Sequence, residues 1–344
     1  MTATPHEPLL SVRGLRTHFQ AGGGRCIRAV DGVDLDLQRG EVLALVGESG
    51  CGKSVTALSL MGLVDAPGRI VAGDLRLDGE DLRAAAPQRL QALRGERMAM
   101  IFQQPRASLN PVQRIGEQVA EPFIRHRGMG RREALARAIE LLERVEIPDA
   151  PRRARDYPHQ LSGGQAQRVM IATALALQPA LLIADEPTTA LDVTVQAQVL
   201  ALMQRLCREQ GSALLLVTHD LGVVAQVADR VAVMYAGRIV EQAGVLTLFE
   251  QPQHPYTQGL LQALPVLGRR RERLADIPGL VPVLDHEPPG CAFAPRCAQR
   301  LPDDAARPSR CVRERPPWRV TSTQGAAACW LAPQPAKPAD RSPA

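Results

Sequence analysis

Lysine is almost absent from this chain, although the chain is basic. Of its 344 residues 41 are lysine or arginine, and Lys53 and Lys337 are the two lysines. Arginine supplies the positive charge almost everywhere else. A need for positive charge alone therefore does not explain why position 53 is a lysine. An ammonium group is a compact point charge and a guanidinium is a planar fork, so the two are not interchangeable in a narrow site. Lys53 therefore marks a position that requires the smaller cation.

Aromatic residues and long apolar runs are scarce too. Phenylalanine, tryptophan and tyrosine make up 3% of the chain, which leaves little material for stacking nucleic-acid bases. The net charge of +5 is scattered among acids, so we expect no nucleic-acid partner. No apolar run approaches the roughly 20 residues of a membrane-spanning helix. Residues 1–8 lack a basic-then-apolar signal pattern, so we expect a cytoplasmic protein.

The segment around Lys53 fits a phosphate-binding pattern. Gly47, Gly52, Lys53 and Ser54 occupy the fixed positions of G-x-x-x-x-G-K-[ST]. In such a loop the backbone N–H groups and the start of the next helix bind phosphate, the lysine reaches the β- and γ-phosphates, and the serine binds Mg²⁺. The predicted nucleotide-binding residues here are Gly47, Glu48, Ser49, Gly50, Cys51, Gly52, Lys53, Ser54 and Val55.

The flanking sequence supports this interpretation. Residues 41–46 read as a buried strand before the loop, and residues 55–61 as the helix after it. Farther on, residues 181–184 form an apolar strand that ends in Asp185 and Glu186. In that setting Asp185 can hold Mg²⁺ and Glu186 can polarise the water that attacks the γ-phosphate.

A second anion-binding surface is predicted between these two motifs. Leu161, Ser162, Gly163, Gly164 and Gln165 precede an apolar helix over residues 169–177. Serine and glycines at a helix start bind anions through backbone N–H groups. Two such surfaces in one chain make sense if two nucleotide-binding domains enclose each ATP between them.

In this order the motifs resemble those of the ATP-binding cassette (ABC) ATPases, over about residues 5–250. The resemblance implies an α/β fold with a P-loop NTPase core. It makes Phe19 the aromatic that stacks on adenine, Gln103 a Mg²⁺ ligand that couples to the membrane partner, and His219 the switch histidine. It also implies that Lys53, Glu186 and His219 are catalytic. Further implied roles are Mg²⁺ binding by Ser54, Gln103 and Asp185, and a signature surface that acts on a second cassette through Ser162, Gly163, Gly164, Gln165 and Asp192.

The finer resemblance is to the peptide-import branch, the dipeptide and oligopeptide permease ATPases. It rests on residues 181–198, 157–160 and 254–258. It implies an ATP-hydrolysing subunit on the cytoplasmic face of the membrane, docked on two permease subunits. A second ATPase, of a different or the same kind, and an external substrate-binding protein complete the expected assembly. Nickel or another small solute is the alternative cargo.

Three regions are predicted from this resemblance. Residues 1–250 form the ABC ATPase domain, with a helical subdomain at about 105–170. Residues 251–331 form a small C-terminal domain of the oligopeptide-transporter type. Residues 332–344 are rich in proline and alanine, and we expect them to be disordered.

Four of the seven cysteines fall in the C-terminal region, at Cys291, Cys297, Cys311 and Cys329. Four thiolates in a small region suit Zn²⁺ or an iron–sulfur cluster, and spacing does not choose between them. The resemblance to the peptide-import branch extends through this region and implies a 4Fe–4S cluster. Zinc and unmetallated thiols are the alternatives.

Cys51 lies inside the predicted phosphate loop. A thiol beside bound anion and a helix start can be unusually reactive. The sequence therefore predicts that alkylation of Cys51 inactivates the ATPase and that ATP protects it.

Overall fold

The central sheet of this protein is built on parallel strands whose carboxyl ends meet at one edge. In the computed structural model, which describes residues 7–189, 191–264, 276–303, 309–321 and 325–333, the order of this sheet is β11-β12-β10-β9-β3-β8-β7-β6. Strands β9, β3, β8, β7 and β6 are parallel, and β10, β12 and β11 continue the sheet antiparallel. Its strands are β3 Val42–Val46, β6 Met98–Ile101, β7 Leu181–Asp185, β8 Ala213–Thr218, β9 Arg230–Tyr235, β10 Arg238–Gly244, β11 Arg319–Val320 and β12 Ala326–Ala327.

A smaller antiparallel sheet covers one face of the central sheet. Its order is β2-β1-β4-β5, formed by β1 Leu10–Gln20, β2 Cys26–Leu37, β4 Gly68–Leu77 and β5 Glu80–Asp81. The apolar patterns predict strands over residues 9–19 and 32–37. The first prediction matches β1, but the second misses the first half of β2. That half pairs with β1 in register, as in Phe19 opposite Ile27.

The two faces of β3 separate two hydrophobic cores. Side chains alternate along a strand, and Leu43 and Leu45 point to the core shared with the antiparallel sheet. Val42, Ala44 and Val46 point to the opposite core, which the helices cover. Because every residue of β3 is buried, the strand reads as a continuous apolar run.

Most helices cover the second face, and those near residues 105–170 form the region predicted as the helical subdomain. The helices at residues 53–61 and 87–96 instead pack in the core on the first face. Apolar residues at helical spacing predict a helix over residues 131–145. The helix α5 confirms this, and its Ala134, Ala138 and Leu142 are buried at four-residue spacing. The helices are α1 Lys53–Met61, α2 Pro87–Glu96, α3 Pro105–Ser108, α4 Ile115–Arg127, α5 Arg131–Arg144, α6 Ala150–Arg153, α7 Gly163–Leu175, α8 Val193–Gln210, α9 Leu221–Val227, α10 Val245–Glu250, α11 Pro255–Gln262 and α12 Arg310–Arg313. In the described ranges no helix is long and apolar enough to cross a membrane.

The C-terminal region is joined to the central sheet rather than appended to it. Ala326 and Ala327 of β12 pair with Gln242 and Glu241 of β10. Phe293 packs edge-on against Tyr235 of β9, with ring centroids 5.2 Å apart. The proline- and arginine-rich sequence predicts a tail with little core, and these contacts show that the prediction is wrong for these residues.

The predicted disordered tail needs a similar adjustment at its start. Ala332 is buried in a small cluster with Ala327 and Cys329, and its carbonyl accepts a hydrogen bond from Arg319. Residues 334–344, including Lys337, lie outside the described residues.

Replacing Leu215 by alanine tests the buried central sheet. Leu215 in β8 is fully buried, so Leu215→Ala should lower the free energy of unfolding by about 2–5 kcal/mol, measured by urea denaturation. Leu246→Ala is the matched control, because Leu246 is 74% exposed and should change stability by less than about 0.5 kcal/mol. Equal losses in the two variants would contradict the assigned core.

Candidate active site

The phosphate loop leaves β3 at Gly47 and enters α1 at Lys53. Gly47 has φ of 155° and Gly52 has φ of 110°, a region that disfavours side chains. A Cβ on Gly47 would lie 2.2 Å from the carbonyl oxygen of Met234, and one on Gly52 would lie 2.3 Å from that of Ala29. Both glycines are therefore required by backbone conformation and by space.

Lys53 is folded back along the loop that it follows. Its Nζ donates hydrogen bonds to the carbonyl oxygens of Gly47 at 2.9 Å and Glu48 at 3.1 Å. The side chain is buried, with 5% of the residue exposed. The slim ammonium fits between two carbonyls, which agrees with the retention of lysine at this position in an arginine-rich chain.

Ser54 at the start of α1 contacts Asp185 at the end of β7. Ser54 Oγ donates to Asp185 Oδ1 at 3.0 Å. Burial raises the pKa of the Asp185 carboxyl, and the hydrogen bond from Ser54 opposes that shift. A hydroxyl and a carboxylate side by side form an oxygen donor pair of the kind Mg²⁺ prefers, so these two residues fit the predicted metal.

Glu186 follows Asp185 and is held by three side chains. Its Oε2 accepts hydrogen bonds from Gln103 Nε2 at 2.9 Å and Thr189 Oγ1 at 3.0 Å. His219 Nδ1 lies 3.2 Å from its Oε1. Burial alone would raise the pKa of Glu186, but the hydrogen bonds from His219 and Thr189 bring the net pKa below its ordinary value. The carboxylate is thus kept ionised.

The backbone of Glu186 is strained. Its φ is +45°, a left-handed conformation that is uncommon for a residue with a side chain. Its N–H donates to the carbonyl of Val217 in β8 at 2.8 Å, which fixes the turn. Such strain is typical of residues whose side chains must point in one functional direction.

Gln103 and Thr189 complete this cluster in ways that the motifs did not specify. Gln103 follows β6 and contacts Glu186, whereas the sequence predicts a Mg²⁺ ligand; that role stays a prediction. Thr189 has no predicted role. The sequence did contain a signal for this contact: Thr189 follows Glu186 by three residues, a spacing that permits a hydrogen bond within one turn.

The signature residues lie on another surface. Ser162 caps α7: its Oγ accepts from the Gln165 N–H at 3.2 Å, and the Gln165 side chain accepts from the Ser162 N–H at 3.1 Å. Asp192 likewise caps α8. Both helix starts line one open cavity of about 310 Å³, and within the described chain its lining includes no residue of the phosphate loop.

Phe19 lies near the end of β1. Its ring packs against Gly68, where an added Cβ would come within 2.5 Å of Cε1. The side chain is partly exposed, which leaves ring surface for a ligand. Its role in adenine binding stays a prediction.

The four C-terminal cysteines come together. Cys291, Cys297, Cys311 and Cys329 all line one small cavity of about 20 Å³. Burial raises the pKa of Cys291 to about 11 and also raises the pKa values of Cys297 and Cys329. In the part of the chain that is described, no group of three or more cysteine, histidine or acidic side chains is arranged to hold a metal ion.

Cys51 does not have the environment expected of a reactive thiol. It is fully buried, and burial raises its pKa despite the Lys53 ammonium, whose Nζ lies 3.9 Å from Sγ. The prediction of unusual reactivity is therefore wrong. Proximity to an anion site lowers a thiol pKa only where the thiolate is solvated or directly paired.

The comparisons with known proteins agree with this geometry. Residues 30–189 match the family described as ABC transporter, and residues 240–303 match the family described as oligopeptide/dipeptide transporter, C-terminal region. A Brucella melitensis protein named as a peptide import ATP-binding protein is 55% identical over 304 residues, 85% of this chain and 90% of the relative. The chain belongs to the peptide-import family of ABC transporter ATPases.

Further relatives of this ABC ATPase support the assignment. The oligopeptide transport ATP-binding protein AppD of Bacillus subtilis is 52% identical, covering 85% of this chain and 89% of AppD. Among solved structures, a dimeric post-hydrolysis state of the ATP-binding cassette MJ0796 with ADP and Pi matches with a TM-score of 0.62 and 30% identity. That match covers 69% of this chain and 98% of the other, and it confirms the ABC ATPase fold.

Labelling of cysteines tests the environment of Cys51. Because its thiol is buried and its pKa is raised, N-ethylmaleimide should leave Cys51 unmodified in the native protein, with or without ATP, and should label it after unfolding. Peptide mass spectrometry reads the result, with the partly exposed Cys26 as the control. Rapid labelling of Cys51 that ATP blocks would contradict the structure.

Proposed function

We propose that this chain is the ATP-hydrolysing subunit of an ABC importer that takes up dipeptides or oligopeptides. The observation that supports ATP hydrolysis is that Gln103, Thr189 and His219 hydrogen-bond to Glu186. This group lies beside the Ser54–Asp185 pair. The peptide part is supported by the similarity to peptide import ATP-binding proteins, which extends into the C-terminal region.

ATP binds with its phosphates in the loop from Gly47 to Ser54. Lys53 exchanges its two carbonyl contacts for the β- and γ-phosphates, and the start of α1 adds further N–H donors. Ser54, Asp185 and Gln103 are the residues that would hold Mg²⁺, which neutralises charge on the phosphates. Phe19 supplies a ring for stacking on the adenine.

Glu186 directs the hydrolysis. Its carboxylate accepts a hydrogen bond from the attacking water and orients it in line with the γ-phosphate. Before ATP binds, three side chains restrict the rotamers of Glu186. The hydrogen bond from Thr189 can remain when Gln103 turns to Mg²⁺ and His219 to the γ-phosphate. The His219 side chain is 61% exposed, so it has room to rotate from Glu186 to the γ-phosphate.

The second half of each ATP site comes from another ATPase subunit. Ser162, Gly163, Gly164, Gln165 and Asp192 lie on a surface apart from this chain's own phosphate loop, which suits binding to ATP held by a partner. We propose pairing with a sister ATPase, with an identical chain as the alternative.

The subunit works at the cytoplasmic face of the membrane, as a peripheral protein. Two permease subunits dock on the helical subdomain at about residues 105–170, and an external binding protein delivers the peptide to them. Residues 1–250 form the ATPase domain of this assembly, and residues 251–331 its C-terminal domain.

A 4Fe–4S cluster is proposed for the four C-terminal cysteines. All four line one cavity, which supports this donor set, since cluster ligands in proteins are commonly four thiolates. The described side chains are not grouped around one metal position, so binding would require them to move together. The cavity of about 20 Å³ has room for roughly one water molecule, so cluster binding requires the surrounding loops to open. The raised thiol pKa values mean that ligation would release protons.

Glu186→Gln tests the proposed function. The isosteric amide cannot act as a base, so ATP hydrolysis and peptide uptake by proteoliposomes containing the permeases should fall by about 100-fold or more, while ATP affinity is retained. Glu80→Gln, on an exposed surface pair with Arg89, is the control and should behave as wild type. Normal turnover by Glu186→Gln would exclude Glu186 as the base, and wild-type vesicles that hydrolyse ATP without peptide uptake would exclude peptide as cargo.

Anaerobic purification tests the cluster. The full-length chain should be brown and contain about four irons and four sulfides, and Cys297→Ser should lose much of both. Cys207→Ser is the matched control, because Cys207 is buried in α8 away from the cavity. An iron-free, colourless wild-type protein would reject the cluster.

A further inference from the structure

Arg296 in the C-terminal region reaches the phosphate loop. It precedes Cys297, and its guanidinium forms a two-pronged ion pair with Glu48, the second residue of the loop. Nη1 lies 2.8 Å from Glu48 Oε2, and Nη2 lies 3.0 Å from Oε1. The Arg296 side chain is 7% exposed and the Glu48 side chain 29%, so this pair is partly buried, unlike the many exposed ion pairs of the chain.

The remaining donors of Arg296 are fixed as well. Nε donates to the carbonyl of Pro278 at 2.8 Å, and Nη2 also donates to those of Ile277 at 3.0 Å and Gly279 at 3.1 Å. Tyr235 Oη lies 3.4 Å from Nη1. The guanidinium is therefore held from both sides, and a lysine, which lacks the planar fork, cannot reproduce these contacts.

The backbone of Glu48 has a second anchor. Its N–H donates to Tyr256 Oη at 2.8 Å. Tyr256 is fully buried in α11, and its ring packs against Phe293 at a centroid distance of 5.3 Å. Both the side chain and the backbone of Glu48 are thus held by residues that follow the predicted ATPase domain.

Glu48 occupies a position at which small movements matter for phosphate binding. It follows Gly47, whose positive φ suits glycine, and its own carbonyl accepts a hydrogen bond from Lys53 Nζ. A displacement of Glu48 moves the N–H groups of the loop and the lysine together. Phosphate binding by such a loop depends on these groups pointing to one center.

We propose that Arg296 is a positioning residue for the phosphate loop, and that the C-terminal region sets the ATP affinity of the subunit through its hold on Glu48. The inference rests on the proposed function only in requiring that the chain binds ATP. Arg296 itself acts through Glu48 and does not need to touch the nucleotide.

Titration of the purified full-length chain with a fluorescent methylanthraniloyl derivative of ATP tests this proposal. Arg296→Ala and Glu48→Ala should each weaken binding by about tenfold, and the double variant should be no weaker than either, because the two changes remove one shared interaction. Arg300→Ala is the matched control, because Arg300 lies in the same segment but its side chain is 39% exposed and pairs with Asp303. The affinity of this variant for the probe should stay within about twofold of wild type.

Tyr256→Phe provides a variant that keeps the aromatic packing. It leaves the Glu48 N–H without its acceptor and should weaken binding of the same probe. Melting temperatures, recorded for each variant, ensure that all titrations are made on folded protein. An unchanged affinity in folded Arg296→Ala or Arg296→Lys would overturn the proposal, as would additive losses of affinity in the double variant. A wild-type chain that binds no probe would instead overturn the proposed ATPase function.

Discussion

The parallel pairing of β3, β8 and β7 is the constraint on which the site depends. Val46 is in register with Thr218, and Asp185 with Val217, so the three strands end at the same level. The residues that follow those ends are Gly47, Glu186 and His219, which come from distant parts of the sequence. Strand pairing in the sheet brings these residues together, so their proximity does not depend on contacts of their own side chains.

Two adjacent carboxylates at this edge have opposite electrostatic environments. Asp185 is the last residue of a buried strand, and burial dominates, which raises its pKa. Glu186 turns out of the strand and gains hydrogen bonds that outweigh burial, which lowers its pKa. Burial thus disfavours the charged form of Asp185, which a nearby cation would favour, whereas hydrogen bonds within the protein favour the charged form of Glu186. This difference matches a division of labour between metal binding and water activation.

The motifs predicted the parts of the site that use short, local patterns. The phosphate loop, the carboxylate pair at the end of β7 and the helix cap at Ser162 each depend on a few consecutive residues, and the structure contains all three. The contact between Arg296 and Glu48 could not be predicted, because 248 residues separate the partners and arginine is common throughout this chain. The buried state of Cys51 was missed for a related reason: the strand that covers the loop, β9, lies far away in sequence.

The pairing of β12 with β10 also has a consequence for synthesis of the chain. Strand β10 is complete by Gly244, but its partner strand is not made until Ala326 and Ala327. On the ribosome, the edge of β10 therefore stays open while some 80 further residues are translated, a delay of about 4–16 seconds at bacterial elongation rates. An open strand edge recruits other chains. Nascent chains that stall in this interval should be the ones most prone to aggregate.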